Sequence, residues 1–429
     1  MYAGLVRVAE RAKGAVRERF TALAHHLASV EFLKETFGLM NRRGAAGIDG
    51  QTVEAFGREL DAHVADLAER MKRRAYDAPP VRRVYIPKAG QPGKMRPLGI
   101  PVVADRLLQA AVARILSAIY EPVFLGVSYG FRPGRGAHDA LRRIRTAVMG
   151  GRVRYVYEAD IRSFFDTVDH AWLMRMLELK IGDPWILRLV RKWLGAGVWE
   201  GGVVTRPGKG TPQGGPLSPV LANVYLHYVL DLWFTKVVRP RLRGYAELLR
   251  YADDFVVLFE DGADAERFAA ALPKRMARFG LELAPEKTRL IPFGAAWGRQ
   301  GPAVTGSFEF LGFRHLMGRR RRGWMTVVRI PSRSRVQRFL AGVKEWLWQN
   351  LHRSPQEQQE ALAAKLRGLY QYYGITGCTR HLNWARYQVV WYWVRALRRR
   401  GQRHHLTWET LQRKPWFRLP TPKVVHPGV

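Results

Sequence analysis

The chain has 429 residues, 47% hydrophobic and 11% aromatic, enough apolar material for roughly two to four domains, which excludes a disordered or low-complexity polypeptide. Lys and Arg number 71 against 36 Asp and Glu, a formal charge of +35 that points to a polyanionic partner, with a basic ribosome-like protein as the plainer alternative. One cysteine, Cys378, excludes an intrachain disulfide and a multi-cysteine zinc site, and it reads as a small helix-packing residue. No run approaches the roughly 20 apolar residues of a membrane span, and the first twenty residues lack a signal-peptide apolar block. A cytoplasmic protein of bacterial type, associated with nucleoid or ribonucleoprotein, is expected.

The first sixty or so residues mix basic and apolar positions and reach "NRRGAAGIDGQTVEAF", where Gly44, Gly47 and Gly50 read as turns. "VRRVYIPKAGQPGKMRPLGIP" predicts two short strands, Val81 to Pro87 and Met95 to Ile100, joined by a Gly/Pro/Lys loop. "DRLLQAAVARILSAIYEPVF" has helical periodicity with Asp105 as its cap. "RVRYVYEADIRSFFDTVDH" predicts a strand ending at Asp160, followed by a helix from "AWLMRMLELKI". In "GTPQGGPLSPVLANVYLHYVLDLWF", Ser218 is placed to cap an amphipathic helix that starts with Pro219 and runs to about Phe234.

"ELLRY" and "FVVLF" predict two strands around a tight turn at Ala252, Asp253 and Asp254, with Phe255, Val257 and Phe259 on the core side. A helix near 264 to 279 follows, then a hairpin in "SFEFLGFRHLMGRRRRGWMTVVRI" with Arg319 to Arg322 at its tip, either a solvated edge or a nucleic-acid contact. From Ser332 the pattern is helical. Arg335, Arg338, Lys344, Arg386, Arg395 and Arg398 alternate there with Trp346, Trp348, Tyr372, Trp384 and Trp391, a mixture suited to phosphates and bases, although aromatics at helical spacing are more often core.

Two adjacent carboxylates inside an apolar run need a compensating charge, because ionised carboxylates are costly to bury unpaired. A turn can present Asp253, and Asp160 at another strand end can converge on it, giving the oxygen ligands that Mg²⁺ prefers. Two such ions can activate an attacking hydroxyl and stabilise a leaving pyrophosphate oxygen. Glu158, Asp166 and Asp169 read as capping or structural acids.

Residues 80 to 315 resemble, motif after motif and in order, the fingers and palm of reverse transcriptases, particularly those encoded by group II introns. The resemblance rests on "NRRGAAGIDGQTVEAF", "MRPLGIPVVADRLLQAAV", "SYGFRPGRGAHDAL", "EADIRSFFDTVDH", "GTPQGGPLSPVLANVYLHYVLD", "RYADDFVVL", "LAPEKTRLI" and "FEFLGF". It implies a catalytic and metal-binding trio of Asp160, Asp253 and Asp254 holding two Mg²⁺ ions, with Mn²⁺ as a substitute. It also implies a nucleotide site. Phe165 would lie beneath the incoming sugar, where its ring excludes a 2′-hydroxyl, and Gln213 would line the pocket; ordinary packing and a helix-entry loop are their respective alternatives. Arg96, helped by Lys88 and Lys94, would grip the triphosphate, and Lys287 would hold or protonate pyrophosphate.

The helical module after Ser332 resembles the thumb, or domain X, of intron-encoded maturases. The implied fold class is α+β, a right-hand polymerase whose fingers and palm combine an antiparallel sheet with helices, followed by an α-helical thumb. The expected division is 1–79 for the N-terminal extension and start of the fingers, 80–325 for fingers and palm, 326–400 for the thumb and 401–429 for a basic tail. The cysteine-containing endonuclease domain that many relatives append is expected to be missing. The implied function is an RNA-directed DNA polymerase that binds its group II intron RNA and assists splicing and mobility. Its partners would be that RNA, an RNA template with DNA primer, dNTPs and target DNA, with no membrane and with homodimerisation left open. A non-catalytic splicing maturase and a domesticated reverse transcriptase in defence or repair remain the alternatives.

Overall fold

The computed structural model describes residues 2–15, 17–87, 93, 95–206, 208–211, 214–294, 306–319, 325–400 and 406–429. Two units make up the chain, one formed by Met1–Lys88, Gly93–Gly136 and Tyr157–Leu290, the other chiefly by Ala137–Val156 and Ile291–Val429. No described helix is long and apolar enough to cross a membrane.

In the first unit the two early strands have the expected ends, β1 (Val81–Pro87) and β2 (Met95–Ile100), paired antiparallel with Ile86 opposite Arg96. After β3 (Tyr155–Asp160) come β4 (Val198–Glu200) and β5 (Val203–Thr205); β4 joins β1 in parallel, and the sheet order is β2-β1-β4-β5. The following helix spans Val103–Tyr120, and here Asp105 is not the cap. Its carboxylate is buried in the first turn, where Oδ1 accepts from the Tyr76 hydroxyl at 2.6 Å and from Trp193 Nε1 at 2.9 Å. Two aromatic donors from outside the helix claim it, and burial pushes its pKa up to about 6 against those hydrogen bonds.

A second sheet has the order β6-β7-β3-β8, built from β6 (Ala246–Tyr251), β7 (Asp254–Phe259), β3 and β8 (Arg289–Pro292). The alternation expected in β7 is absent. Phe255, Val256, Val257, Leu258 and Phe259 are all buried, because the strand is covered on both faces and so reads as one continuous apolar run.

The helix after the "PQGG" motif also departs from expectation. It starts at Ser218 with Leu217 as an N-cap that makes no side-chain bond, and the whole of Ser218–Leu226 apart from Pro219 is buried rather than amphipathic. Beyond it the backbone widens into π-helix at His227–Asp231 and again at Phe234–Val238.

In the second unit β9 (Ser307–Phe310), β10 (Phe313–Arg319) and β11 (Met325–Pro331) form an antiparallel sheet in the order β9-β10-β11. The expected hairpin is present; residues 320–324 of its tip lie outside the described residues. Helices Arg333–Gln349, Pro355–Tyr373 and Thr379–Arg398 follow, the second opened by a Ser354/Glu357 capping box. Cys378 is buried as expected, its Sγ donating to the Arg329 carbonyl. The aromatic positions divide differently from the core expectation, since Trp348, Trp384 and Trp391 are exposed.

Candidate active site

The carboxylates stand at the β6–β7 connection. Tyr251 pairs with Asp254, so the loop between the strands is Ala252–Asp253, and Asp254 begins β7 rather than lying in the turn. Two-residue hairpin loops favour residues tolerant of positive φ, and Ala252 sits at φ +56, where glycine is the usual residue. The strain of about 1 kcal/mol is held from outside the hairpin.

Arg250 supplies that hold. Fully buried, it donates from Nη1 to the Ala252 carbonyl at 2.9 Å and to Asn223 Oδ1 at 3.0 Å, while Nε and Nη2 reach both carboxylate oxygens of buried Asp231 at 2.7 and 2.6 Å. Asn223 in turn donates to the Gly130 carbonyl at 2.8 Å. Gly130 must be glycine, because a Cβ there would stand 2.5 Å from the Ala252 nitrogen. Segment 127–130 runs along β6, with Arg250 N donating to Val127 O and Tyr129 N to Arg250 O, both at 2.8 Å. Sequence inspection had passed over Arg250, Asp231, Asn223 and Gly130. The available signal was an arginine and an aspartate inside otherwise apolar runs, residues that seldom enter a core unless paired.

Asp160 ends β3, which lies beside β7 in the sheet. The segment 281–287 is laced to the chain just after it, with Ala284 N donating to Asp160 O and Arg162 N to Glu282 O, both at 2.8 Å. This brings Lys287, in the short 3₁₀ turn Pro285–Lys287, onto Asp160, where its ammonium donates to Oδ2. Burial pulls the Lys287 pKa down, but the hydrogen bond and charge of Asp160, with Asp254 and Glu286 behind them, raise it overall.

Half-buried Asp253 has its pKa raised, first by burial and then by the charge of Asp160, while its own backbone N–H, Arg96 and Lys287 pull the other way. Arg96, exposed on β2, is therefore within electrostatic reach of Asp253. The structure brings together Asp160, Asp253, Asp254, Lys287 and Arg96. Lys88, Lys94 and Gln213 lie outside the described residues.

Phe165 is half-buried in the short helix Phe164–Thr167, which is entered through Ser163 at φ +45. Its carbonyl accepts from Thr211 N at 2.7 Å, and Gly210 N donates to Val168 O at 2.8 Å, so the loop before "PQGG" is fastened to this helix. On the far side of that loop Gly214, at φ +117, lies where a Cβ would meet the Gly99 carbonyl of β2 at 2.8 Å. A cleft of about 310 Å³ opens there, with Arg83, Gly99, Asp166, Lys209 and Thr211 among its lining. Asp169 caps the helix His170–Glu178 through Trp172 N, and Glu158 pairs with Arg289, in keeping with their structural reading.

An all-oxygen donor set with a desolvated carboxylate suits a hard divalent cation, which would relieve the repulsion between Asp253 and Asp160. Among the described residues no three such side chains are already gathered in ligand geometry; the Lys287 ammonium is the positive charge that meets Asp160.

Residues 86–315 match the family described as reverse transcriptase (RNA-dependent DNA polymerase). The chain belongs to the reverse transcriptase family. Group II intron-encoded protein LtrA of Lactococcus lactis subsp. cremoris is 40% identical to this reverse transcriptase over 235 residues, 53% of this chain and 38% of that protein. Protein YkfC of Escherichia coli (strain K12) is 32% identical over 364 residues, 77% of this chain and 92% of its own length. An uncharacterized 91 kDa protein in cob intron of Schizosaccharomyces pombe is 38% identical over 195 residues, 46% of this chain and 23% of its own. The match thus spans about two fifths of the Lactococcus protein. The resemblance to group II intron-encoded reverse transcriptases and maturases and the α+β fold class both stand.

Proposed function

We propose that this reverse transcriptase is an active RNA-directed DNA polymerase that also binds a group II intron RNA and assists its splicing and mobility. The observation that carries the reading is the pinned Ala252–Asp253 turn beside Asp160, ringed by Lys287 and Arg96. In this reading Asp160, Asp253 and Asp254 hold two Mg²⁺ ions, or Mn²⁺ in their place. When bound, such ions lower the pKa of an attacking hydroxyl and neutralise charge on the leaving pyrophosphate.

The chain's own residues do the rest. Arg96, with Lys88 and Lys94, orients the triphosphate by hydrogen bonds to its oxygens. Lys287, whose raised pKa keeps it protonated, moves from Asp160 to the pyrophosphate when the carboxylates are neutralised. Phe165 and Gln213 frame the sugar and base of a dNTP, the ring excluding a 2′-hydroxyl. Residues 1–79 and 80–325 would act as N-terminal extension, fingers and palm, 326–400 as thumb, and 401–429 as a basic tail. RNA template, DNA primer and target DNA are the polyanions that the +35 charge suits.

Primer extension on an RNA template with dNTPs and Mg²⁺ tests the proposal. The wild-type protein should extend and Asp253→Asn should not. Extension by neither, or equally by both, overturns it.

A further inference from the structure

The helix Thr379–Arg398 presents an unusual outer face. Its buried side is Leu382, Ala385, Val389, Trp393, Ala396 and Leu397. Opposite these, at a spacing that keeps all six within about a quarter of the helix circumference, stand Arg380, Trp384, Tyr387, Trp391, Arg395 and Arg398, every one exposed. Trp384 is 52%, Tyr387 60% and Trp391 43% exposed, although three large rings normally seek the core. The helix contains no Asp or Glu.

Clefts flank this stripe on both sides. One, of about 220 Å³, lies against the helix Arg333–Gln349 and is lined by Lys344, Trp348, Tyr392, Arg395 and Arg399. The other, of about 240 Å³, lies against the C-terminal segment and includes Arg386, Tyr387, Trp408 and Phe417. Guanidinium groups already stand over the exposed rings, Arg395 at 4.6 Å from the Trp391 centroid and Arg399 at 5.1 Å from that of Trp348.

We infer that this face is a track for an unpaired stretch of RNA, its bases stacked on Trp384, Tyr387 and Trp391 and its phosphates paired with the arginines at both ends. Charge and shape select that occupant. A surface with arginines and no carboxylate repels a basic partner, and duplex nucleic acid, whose bases are already stacked, offers phosphates and groove edges but no free π-faces. Along the axis the three rings rise by about 4.5 and 6 Å, a spacing that successive nucleotides of an extended strand can match. The inference rests on reading the chain as an RNA-handling enzyme, but it concerns a surface distinct from the carboxylate site.

The test is equilibrium binding of a labelled oligouridine, which has little structure of its own, read both by anisotropy and by quenching of tryptophan fluorescence. Blunt duplex RNA and primer–template extension run in parallel. Because the side chains are exposed, W384L/W391L should fold and melt as wild type does, while W384F/W391F keeps the rings. The leucine variant should bind oligouridine tenfold or more weakly, the phenylalanine variant near wild type, and both should bind duplex and extend primers normally. Equal oligouridine affinity in all three proteins overturns the inference, as does an equal loss for oligouridine and duplex. Self-association of the wild type that leucine abolishes, with RNA binding unchanged, would assign the face to a second copy and overturn it too. Failure of extension alone would sink the polymerase reading and leave the track standing.

Discussion

Removing the counter-charge of Arg250 tests how the Ala252–Asp253 turn is held. Arg250 and Asp231 are both fully buried and joined by two short hydrogen bonds. Asp231→Ala leaves a guanidinium without a counter-charge in a dry site, a change that costs about 3–5 kcal/mol. Against a domain stability of about 5–15 kcal/mol, this is a large fraction. With an m-value of about 2–3 kcal/mol/M, the urea midpoint should fall by on the order of 1–2 M. Replacing both partners, as in Arg250→Met with Asp231→Leu, removes charge and counter-charge together and should leave the midpoint near wild type. The Ala252 carbonyl nevertheless loses its donor in that double variant. If the turn then shifts by about 1 Å, primer extension should slow by roughly 10²-fold. Stability and positioning are thereby read separately. A single variant that unfolds at the wild-type midpoint, or a stable double variant that extends at the wild-type rate, refutes the reasoning.

Three further outcomes are expected. Burial raises the Asp253 carboxyl above its unfolded value, so its contribution favours folding at acid pH and is lost as pH rises through the folded pKa; Asp253→Asn should therefore raise the Tm of metal-free protein at neutral pH. Millimolar Mg²⁺ should stabilise the wild type more than this variant, and equal shifts in calorimetry would contradict a cation at that carboxylate. Phe165→Ala should raise ribonucleotide incorporation by roughly one to two orders of magnitude, as for loss of a steric exclusion worth about 1–3 kcal/mol; unchanged sugar selectivity in single-turnover assays removes the gate. His315, stacked on Phe308 at 4.5 Å, has its pKa pushed down to about 3 by burial and by Arg329. Its stabilising contribution is present above the ordinary value of 6.5 and fades as pH falls toward 3, by up to about 1.4 kcal/mol per pH unit, so His315→Phe should flatten the acid-unfolding curve.

Much of the fold was legible because its signals are local. The ends of β1 and β2 follow from turn-forming residues between β-branched runs, and the three helices after Ser332 follow from periodicity and caps. Asp105 and Ser218 misled because capping rules describe a helix end exposed to water, whereas both residues start helices that are buried on nearly every side. For the site, Asp160 and Asp253 announced themselves as acids in apolar surroundings. Their support did not, because Arg250, Asp231, Asn223 and Gly130 belong to three separate segments that only folding brings together. The exposure of Trp384, Tyr387 and Trp391 was equally hidden, since periodicity shows which residues share a helix face but not which face meets solvent.

The widened helical stretch at His227–Asp231 bears on how this family can tolerate length changes. A π-turn holds one more residue than the α-turn it replaces, so it acts as an insertion absorbed without a loop. Deleting one residue between 227 and 230 would let the helix relax to ordinary winding, and every later side chain would rotate by about 100°. The carboxylate now at Asp231 would then swing away from the β-hairpin. Indels there are therefore phase errors, felt two elements away at the acids themselves.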